Sequence, residues 1–508
     1  MLESIKQAKI GTIVPVYKEI DGEIDAFEYF AKLSDYGRKK NSVLLEDNEK
    51  TFGSANPCLA VKGKNDDFEI KALNNLGKKF LSFIKKDFGF CDKAIYHKDK
   101  IYGKLTPAKR AVSEQEKLKL KTHMDIIRAI AFKFKPTARH FGGLFGMVSD
   151  DFVQTAQEDM LKDPDYVFYF LDNMFVVDHK TKKTYFVANA LVTDNSKEKT
   201  YNDCSKTISN YEKLMPKKAP KGKRPKKKEL KLSHDASNEE FLGVMRSLKK
   251  EIADGSILYA APSRTAITTY NAEPLDIYAG IKNHGSSFYI NDKNGISIGA
   301  GTNAVLSVKG ESEKTVEIMI STSTKLRGKV KDEIEKDLDN KFEALLKVDE
   351  NETACNIMLL DALRNDAARV SSLGTRYVDK MLVVDKQTEF QNLVSSVKGV
   401  LNEDLDALHV YAAVLNPAIT NGVPKIKAGE MLNKLEKGKK GFSSVLYVTP
   451  YKDLQAIAME SVRIKKDKAY FSVSSRVFHN SDDNEELAAS DKKAAKLLNA
   501  LRFGGGLK

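Results

Sequence analysis

Glu352 stands in the run NETACN, with Cys355 three residues further on. A hard divalent cation takes several oxygen ligands, so one carboxylate is too few, and a thiol is a soft ligand that suits such an ion badly. Glu485 and Glu486, in NEELAASDKK, read as the exposed face of a helix. The four cysteines, Cys58, Cys91, Cys204 and Cys355, are far apart and match no zinc or redox spacing. They read as reduced, mostly buried thiols of a cytoplasmic protein. No glycine-rich loop follows a strand in the way a nucleotide site requires.

The formal charge of +13 is concentrated in residues 217–228, KKAPKGKRPKKK, which hold eight Lys or Arg and no acid. Without that run about +5 remains on the rest of the chain, an ordinary balance. Its prolines and glycine point to an extended, solvated linker, with a docking site for an acidic partner or nucleic acid as the alternative. No aromatic residue interrupts the run to stack a base, so nucleic-acid binding is unlikely to be its role by composition.

These groups must be held by the elements around them. The run divides the chain into 1–215, a Lys/Pro-rich linker 216–231, and 232–508. Alternating apolar residues mark strands in VFYFLDNMFVVDHKTKKTYFVANALV from Val167, with a hairpin turn at His179 to Lys183. SFYINDKNGISIGAG repeats the pattern with Asn294-Gly295 at its turn, and TVEIMISTST, SSVLYVTPY and KAYFSVSSRVF are further strands. Helices are expected over SNEEFLGVMRSLKKEIADG, where Ser237 and Glu240 form a capping pair, and over DEIEKDLDNKFEALLKV, EDLDALHVYAAVL and AGEMLNKLEKGKKG. Hairpins mixed with long helices imply an α+β protein with largely antiparallel sheets. No run approaches the roughly 18 apolar residues of a membrane span. The charged N-terminus lacks the apolar stretch of a secretory signal.

FGGLFGMVSDDF from Phe141, IMLLDALRNDAARVSSLGTRYV from Ile357, TKLRGK from Thr324, LVSSVKGVLNEDLDALHVYAAVLNP from Leu393 and GVPKIKAGEML from Gly422 occur in colinear order over essentially the whole chain. This series resembles the large subunit (component I) of anthranilate synthase, in the chorismate-utilising family. The resemblance implies two large antiparallel β-sheets packed as a sandwich with helices outside and the ligand between them. It also implies magnesium as cofactor, a glutamine amidotransferase as possible partner, and conversion of chorismate and ammonia to anthranilate and pyruvate, a step of tryptophan biosynthesis.

Carried over position by position, the resemblance fits the framework better than the site. Of three metal carboxylates only Glu352 is retained; Cys355 and Ala489 stand at the other two, so magnesium binding is expected to be lost or weakened. Glu460, in IAMES, stands where the family has a substrate-binding arginine. The family's G-A-G-x-V loop reads SSRVF, with Ser474, Ser475 and Arg476 obstructing close approach, although Arg476 returns one positive charge from another direction. Tyr259, Asn303 and Asn392 replace a glutamine, a glutamate and a histidine, and an amide cannot serve as a general acid at neutral pH. Thr324, Gly422, Pro424, Lys425 and Lys493 match, whereas Ala418 and Ile419 do not. No residue is identified as the catalytic acid, base or nucleophile. At the family's tryptophan site Leu44, Leu45 and Glu46 match, Asp47 replaces a serine, and KNHGSS from Lys282 replaces N-P-S-P-Y-M; His284 reads as a surface-loop histidine. Three functional readings stay open: a catalytically silent homologue, an enzyme acting on a different ligand in the same pocket, and a working anthranilate synthase large subunit.

Overall fold

The computed structural model describes residues 1–107, 114–137, 142–149, 163–222, 229–282, 285–326, 333–386, 390–415, 417–437 and 441–505. Two long antiparallel strands, Ile296–Lys309 and Leu454–Lys465, form its spine, in register from Ile296↔Ile464 to Val308↔Leu454. Their β-branched and aliphatic residues alternate in facing, as the two-residue period of a strand requires. The register slips between Ala300 and Ala304. Extra residues at such a slip bend and over-twist their strand, so the flanking partners cannot stay aligned across it.

Both spine strands accordingly change partners at this level. Ile296–Ala300 pairs with Ser287–Asn291, whereas Ala304–Lys309 pairs with the strand Thr315–Leu326. On the other edge, Leu454–Ala458 pairs with Phe442–Val448, whereas Val462–Lys465 pairs with Lys468–Ser474. The sheet therefore forks. One arm runs from Ser287–Asn291 through Ser42–Glu46, Lys50–Ser54, Asn173–Asp178 and Lys183–Leu191 to Thr12–Asp21. Another runs from Phe442–Val448 through Gly143–Ser149, Tyr166–Leu171, Leu59–Lys64 and Asp67–Ala72 to Lys100–Lys104.

The α+β class holds, but the expectation of two separate sheets is corrected. Twenty-two strands among the described residues belong to one continuous hydrogen-bonded sheet, with a two-stranded ladder, Tyr259–Ala260 and Gly422–Val423, apart from it. The forked spine keeps the ladder unbroken from arm to arm. The arms still bury apolar faces against each other: the Phe52 ring lies 5.4 Å from that of Phe145 and 4.8 Å from that of Tyr447. Val43, Met147, Val167, Met174 and Ile457 complete that layer. The chain crosses between the arms at Asp172, inside the run read as VFYFLDNMFVV. Ladders such as Ser42–Glu46 with Ser287–Asn291 join residues before the basic run to residues after it.

The helices cover the outside of the sheet. Asn238–Ala253 begins in the expected capping box of Ser237 and Glu240, and buries Phe241, Met245, Leu248 and Ile252 at helical spacing. Glu350–Ala368 starts where the Asp349 side chain accepts from the Glu352 backbone N–H, and lies on Thr315–Leu326 and Phe390–Val400. Asp483–Phe503 starts at Asp482, whose carboxylate accepts from the N–H groups of Asn484 and Glu485. The EDLDALHVYAAVL helix is shorter than expected, Ala407–Val414, because Asp406 caps it. The beginning of the basic run is not wholly solvated: Ala219 packs against a buried cluster, and a Cβ on Gly222 would meet the Tyr36 ring at 2.6 Å. Among the described residues no helix is long and apolar enough to cross a membrane.

Candidate functional site

Three segments converge beyond the end of the strand Lys468–Ser474. The segment after that strand brings Ser475 and Arg476. The first turn of Glu350–Ala368 brings Glu352, with Cys355 beside it, and the first turn of Asp483–Phe503 brings Glu486. Asp and Glu suit first helical turns because their charge complements the exposed N–H groups and the positive dipole end.

Arg476 closes this group. Its guanidinium donates to Glu352 through two parallel bonds, Nη1 to Oε2 at 2.8 Å and Nη2 to Oε1 at 2.7 Å. Its backbone N–H donates to Glu486 Oε2 at 3.0 Å. Burial works against the Arg476 charge, but the Glu352 contact outweighs it and its pKa is raised. The Cys355 thiol is buried and pushed up to about 12, first by burial, with Arg476 opposing and Glu352 and Glu486 adding to the rise, so it is protonated at neutral pH. Tyr259 is fully buried; its hydroxyl donates to the Ile419 carbonyl at 3.0 Å and its ring stacks on Phe478 at 4.9 Å. Burial raises the phenol pKa, so it stays neutral as well.

These residues do not fit a magnesium ion. Both Glu352 oxygens are engaged by the guanidinium, the neighbouring thiol carries no charge, and Ala489 is exposed and offers no ligand atom. Among the described residues no group of three or more His, Cys, Asp or Glu is placed to hold a metal. Glu485 is exposed, as read from the sequence, but Glu486 is turned inward, and its bond to Arg476 is a departure from the exposed-face reading.

The other expected positions divide. Gly422, at φ +147°, lies against the Tyr259 strand so closely that a Cβ would sit 2.3 Å from the Tyr259 carbonyl oxygen. Pro424 precedes the helix Lys425–Leu435. Lys425 donates to both Asp366 oxygens, at 3.1 and 2.9 Å, and to the Ala413 carbonyl at 3.0 Å. Asp366 and Glu352 lie at opposite ends of one helix, about 21 Å apart along its axis at ~1.5 Å per residue, so Lys425 is committed away from the Arg476 group. Burial raises the Asp366 pKa and Lys425 opposes the rise.

Glu460 pairs with Ala300, the last pair before the register slip. It is half-buried, and no hydrogen bond or ion pair joins its carboxylate to the side chain of another described residue, Arg476 included. The Thr324 backbone pairs with Asn392, whose Oδ1 is buried without a hydrogen-bond partner. The side chains of Thr324, Asn303 and Lys493 lie outside the described ones, as does residue His284.

Two cavities among the described residues lie elsewhere. One of about 310 Å3 is lined by Asp47, Lys50, Lys309, Tyr447, Asp453 and Gln455 among others, and one of about 300 Å3 by Glu46, Asp47, His179 and Lys282 among others. Asp47 borders both and accepts from Gln455 Nε2 at 3.2 Å; Lys282 pairs with Glu46 at 3.8 Å. Sequence reading located Glu46, Asp47 and Lys282 but missed Tyr447, Lys309 and Asp453, which no local pattern distinguishes from ordinary strand and turn residues.

A family description, chorismate binding enzyme, matches residues 79–499. Anthranilate synthase component 1 of Haemophilus influenzae is 30% identical over 491 residues, covering 91% of this chain and 92% of that one. The Vibrio cholerae protein of the same name is 28% identical over 407 residues, 77% of each. Among solved structures, anthranilate synthase component I from Streptococcus pneumoniae superposes with a TM-score of 0.66 at 20% identity, over 89% of this chain and 92% of that one. The menaquinone-specific isochorismate synthase from Escherichia coli gives 0.59 at 13% identity over 98% of each, a likeness of fold alone. With the forked sheet, the helix carrying Glu352 and this full-length identity together, the chain belongs to the chorismate-binding enzyme family.

Proposed function

We propose that this chain is a component I-type member of the family whose cleft no longer carries out the magnesium-dependent conversion of chorismate to anthranilate and is kept for binding. The observation that carries the reading is the double hydrogen bond from Arg476 to Glu352, the one family metal carboxylate retained. A carboxylate saturated by a guanidinium cannot also serve a metal, because the two cations compete for the same oxygens. Glu460 adds to this: a carboxylate in place of a cation repels a dianion, and at ~4 Å and an effective dielectric near 20 each unit-charge interaction is worth about 4 kcal/mol. A less anionic ligand fits these charges better than chorismate.

The test is an assay of the purified chain with chorismate, ammonium and Mg2+, read by anthranilate fluorescence. No anthranilate is expected at ordinary enzyme concentrations, and steady formation overturns the proposal. A second reading, a working large subunit supplied with ammonia by a glutamine amidotransferase, is favoured by 30% identity over 91% of the chain to a protein named anthranilate synthase component 1. Free ammonium replaces the amidotransferase in the assay, so the same measurement separates the two.

A further inference from the structure

We propose that Arg476 takes the place of a divalent metal, its guanidinium holding Glu352 in the first turn of Glu350–Ala368 and its backbone N–H holding Glu486 in the first turn of Asp483–Phe503. The inference rests on the reading above, that the cleft works without magnesium. Glu352 and Glu486 are both first-turn residues of long helices, and both meet Arg476. A half-buried carboxylate such as Glu352 needs a cation or several hydrogen-bond donors at its oxygens. Arg476 meets both, Glu352 through its guanidinium and Glu486 through its backbone N–H.

Arginine suits this role better than lysine. Its charge is permanent, and its planar fork matches both carboxylate oxygens at once, where an ammonium offers a point charge. A metal site depends on the free ion concentration, whereas a cation on the backbone cannot dissociate. The arrangement also excludes a competing ion. Magnesium would have to displace two charge-assisted bonds to reach Glu352, and it would then find the soft Cys355 sulfur where another oxygen ligand is needed. Ser475 fixes the segment from which Arg476 projects: its N–H donates to the Pro262 carbonyl at 2.9 Å and its hydroxyl to the Glu486 carbonyl at 3.2 Å. Arg476 therefore acts as a positioning residue for the two helix starts.

The experiment uses the full chain, Mn2+ as an EPR-visible probe, and melting curves in EDTA and in millimolar Mg2+. The wild type is expected to leave Mn2+ free and to melt at the same temperature in both buffers. Arg476→Ala, which frees both Glu352 oxygens and keeps the backbone N–H to Glu486, is expected to melt lower in EDTA, to regain part of the loss with Mg2+, and to bind Mn2+ at least about tenfold more tightly than the wild type. Adding Glu352→Gln to that variant should abolish the uptake. Arg476→Lys keeps a cation without the fork, and should still exclude Mn2+ while melting below the wild type. Wild-type Mn2+ binding that disappears in Glu352→Gln overturns the proposal, and this arm stands even if Arg476→Ala does not fold. A folded Arg476→Ala protein that neither binds Mn2+ nor responds to Mg2+ overturns it too. Anthranilate formation in EDTA would defeat the functional reading and leave this one standing; wild-type Mn2+ binding at Glu352 without anthranilate would do the reverse.

Discussion

Arg463 and Arg476 lie close in sequence and both end on carboxylates from distant parts of the chain, yet they work in opposite circumstances. Arg463 is sealed in the sheet. Its Nε and Nη2 donate to Asp163 at 3.2 and 2.9 Å, Nη2 also to Asp292 at 3.0 Å, and Nη1 to Ser297 Oγ at 3.1 Å. Its side chain is 5% exposed, against 33% for Arg476, whose guanidinium meets a single carboxylate. The first arginine has every nitrogen bonded to protein and can do nothing but hold the fold. The second holds structure too, but solvent and solutes reach it. The difference shows that a buried ion pair reports function through what remains accessible around it, and not through the pair itself.

The comparison breaks most visibly at Arg463. Replacing it by Leu leaves Asp163 and Asp292 in the interior without their guanidinium, and removing one partner of a buried pair typically costs about 3–5 kcal/mol. Denaturant unfolding at neutral pH measures the loss; a change near ~0.5 kcal/mol, the range of an ordinary surface substitution, would show that water replaces the arginine easily.

Asp172 sharpens the contrast, since it is a buried carboxylate with no cation beside it. Burial pushes its pKa up to about 6, against hydrogen bonds including that from Asn173 Nδ2, and its Oδ1 has no hydrogen-bond partner. A folded-state pKa raised above the unfolded value means the stabilising form is the protonated one. That contribution is complete below about pH 4 and is lost as pH rises through about 6. Asp172→Asn, permanently neutral, should therefore gain on the wild type across this window, by up to about 3 kcal/mol at 1.36 kcal/mol per pKa unit. Unfolding free energies of both proteins at acidic and at mildly alkaline pH give the answer; a pH-independent difference would mean that Asp172 is already solvated.

Arg476→Ala should cost less than the Arg463 change, about 1–3 kcal/mol, because a hydrogen bond to a charged group is worth that much and partial exposure screens it. A loss equal to that of Arg463→Leu would erase the distinction between the two sites. The smallest effect is expected at Glu460. Glu460→Arg should raise the affinity for an anion such as benzoate or chorismate by about 1 kcal/mol, or roughly fivefold, since the residue is half-buried and its field is partly screened. Calorimetry on both forms decides. Tight chorismate binding by the wild type that disappears in the variant would remove Glu460 from the altered-site argument and favour the working enzyme.

Much of the fold was legible in the sequence because it depends on neighbours along the chain. The Asn294-Gly295 turn, the Ser237–Glu240 capping box and the period of two in the strand residues each need only a few adjacent positions. The crossing at Asp172 was not legible, since an unbroken apolar run has the same composition whether it continues one strand or passes between arms. The separation into two sheets failed for a related reason. Only the register slip at Ala300–Ala304 and the partner changes around it keep the hydrogen bonding continuous, and a slip is a relation between strands. The basic run was read as solvated throughout, but its start approaches the Tyr36 ring, which comes from a far earlier part of the chain.

At the candidate site, the sequence by itself determined which chemical groups are available: one retained carboxylate at Glu352, a thiol at Cys355, an acid at Glu460, and an arginine among serines at 474–476. Only the tertiary structure decided which of them meet. It brought Arg476 onto Glu352 from 124 positions away, turned Glu486 inward, and committed Lys425 to Asp366. The physical reason is that hydrogen-bond partners in a forked sheet are assigned by ladder register and helix placement, and these depend on the whole chain closing its core.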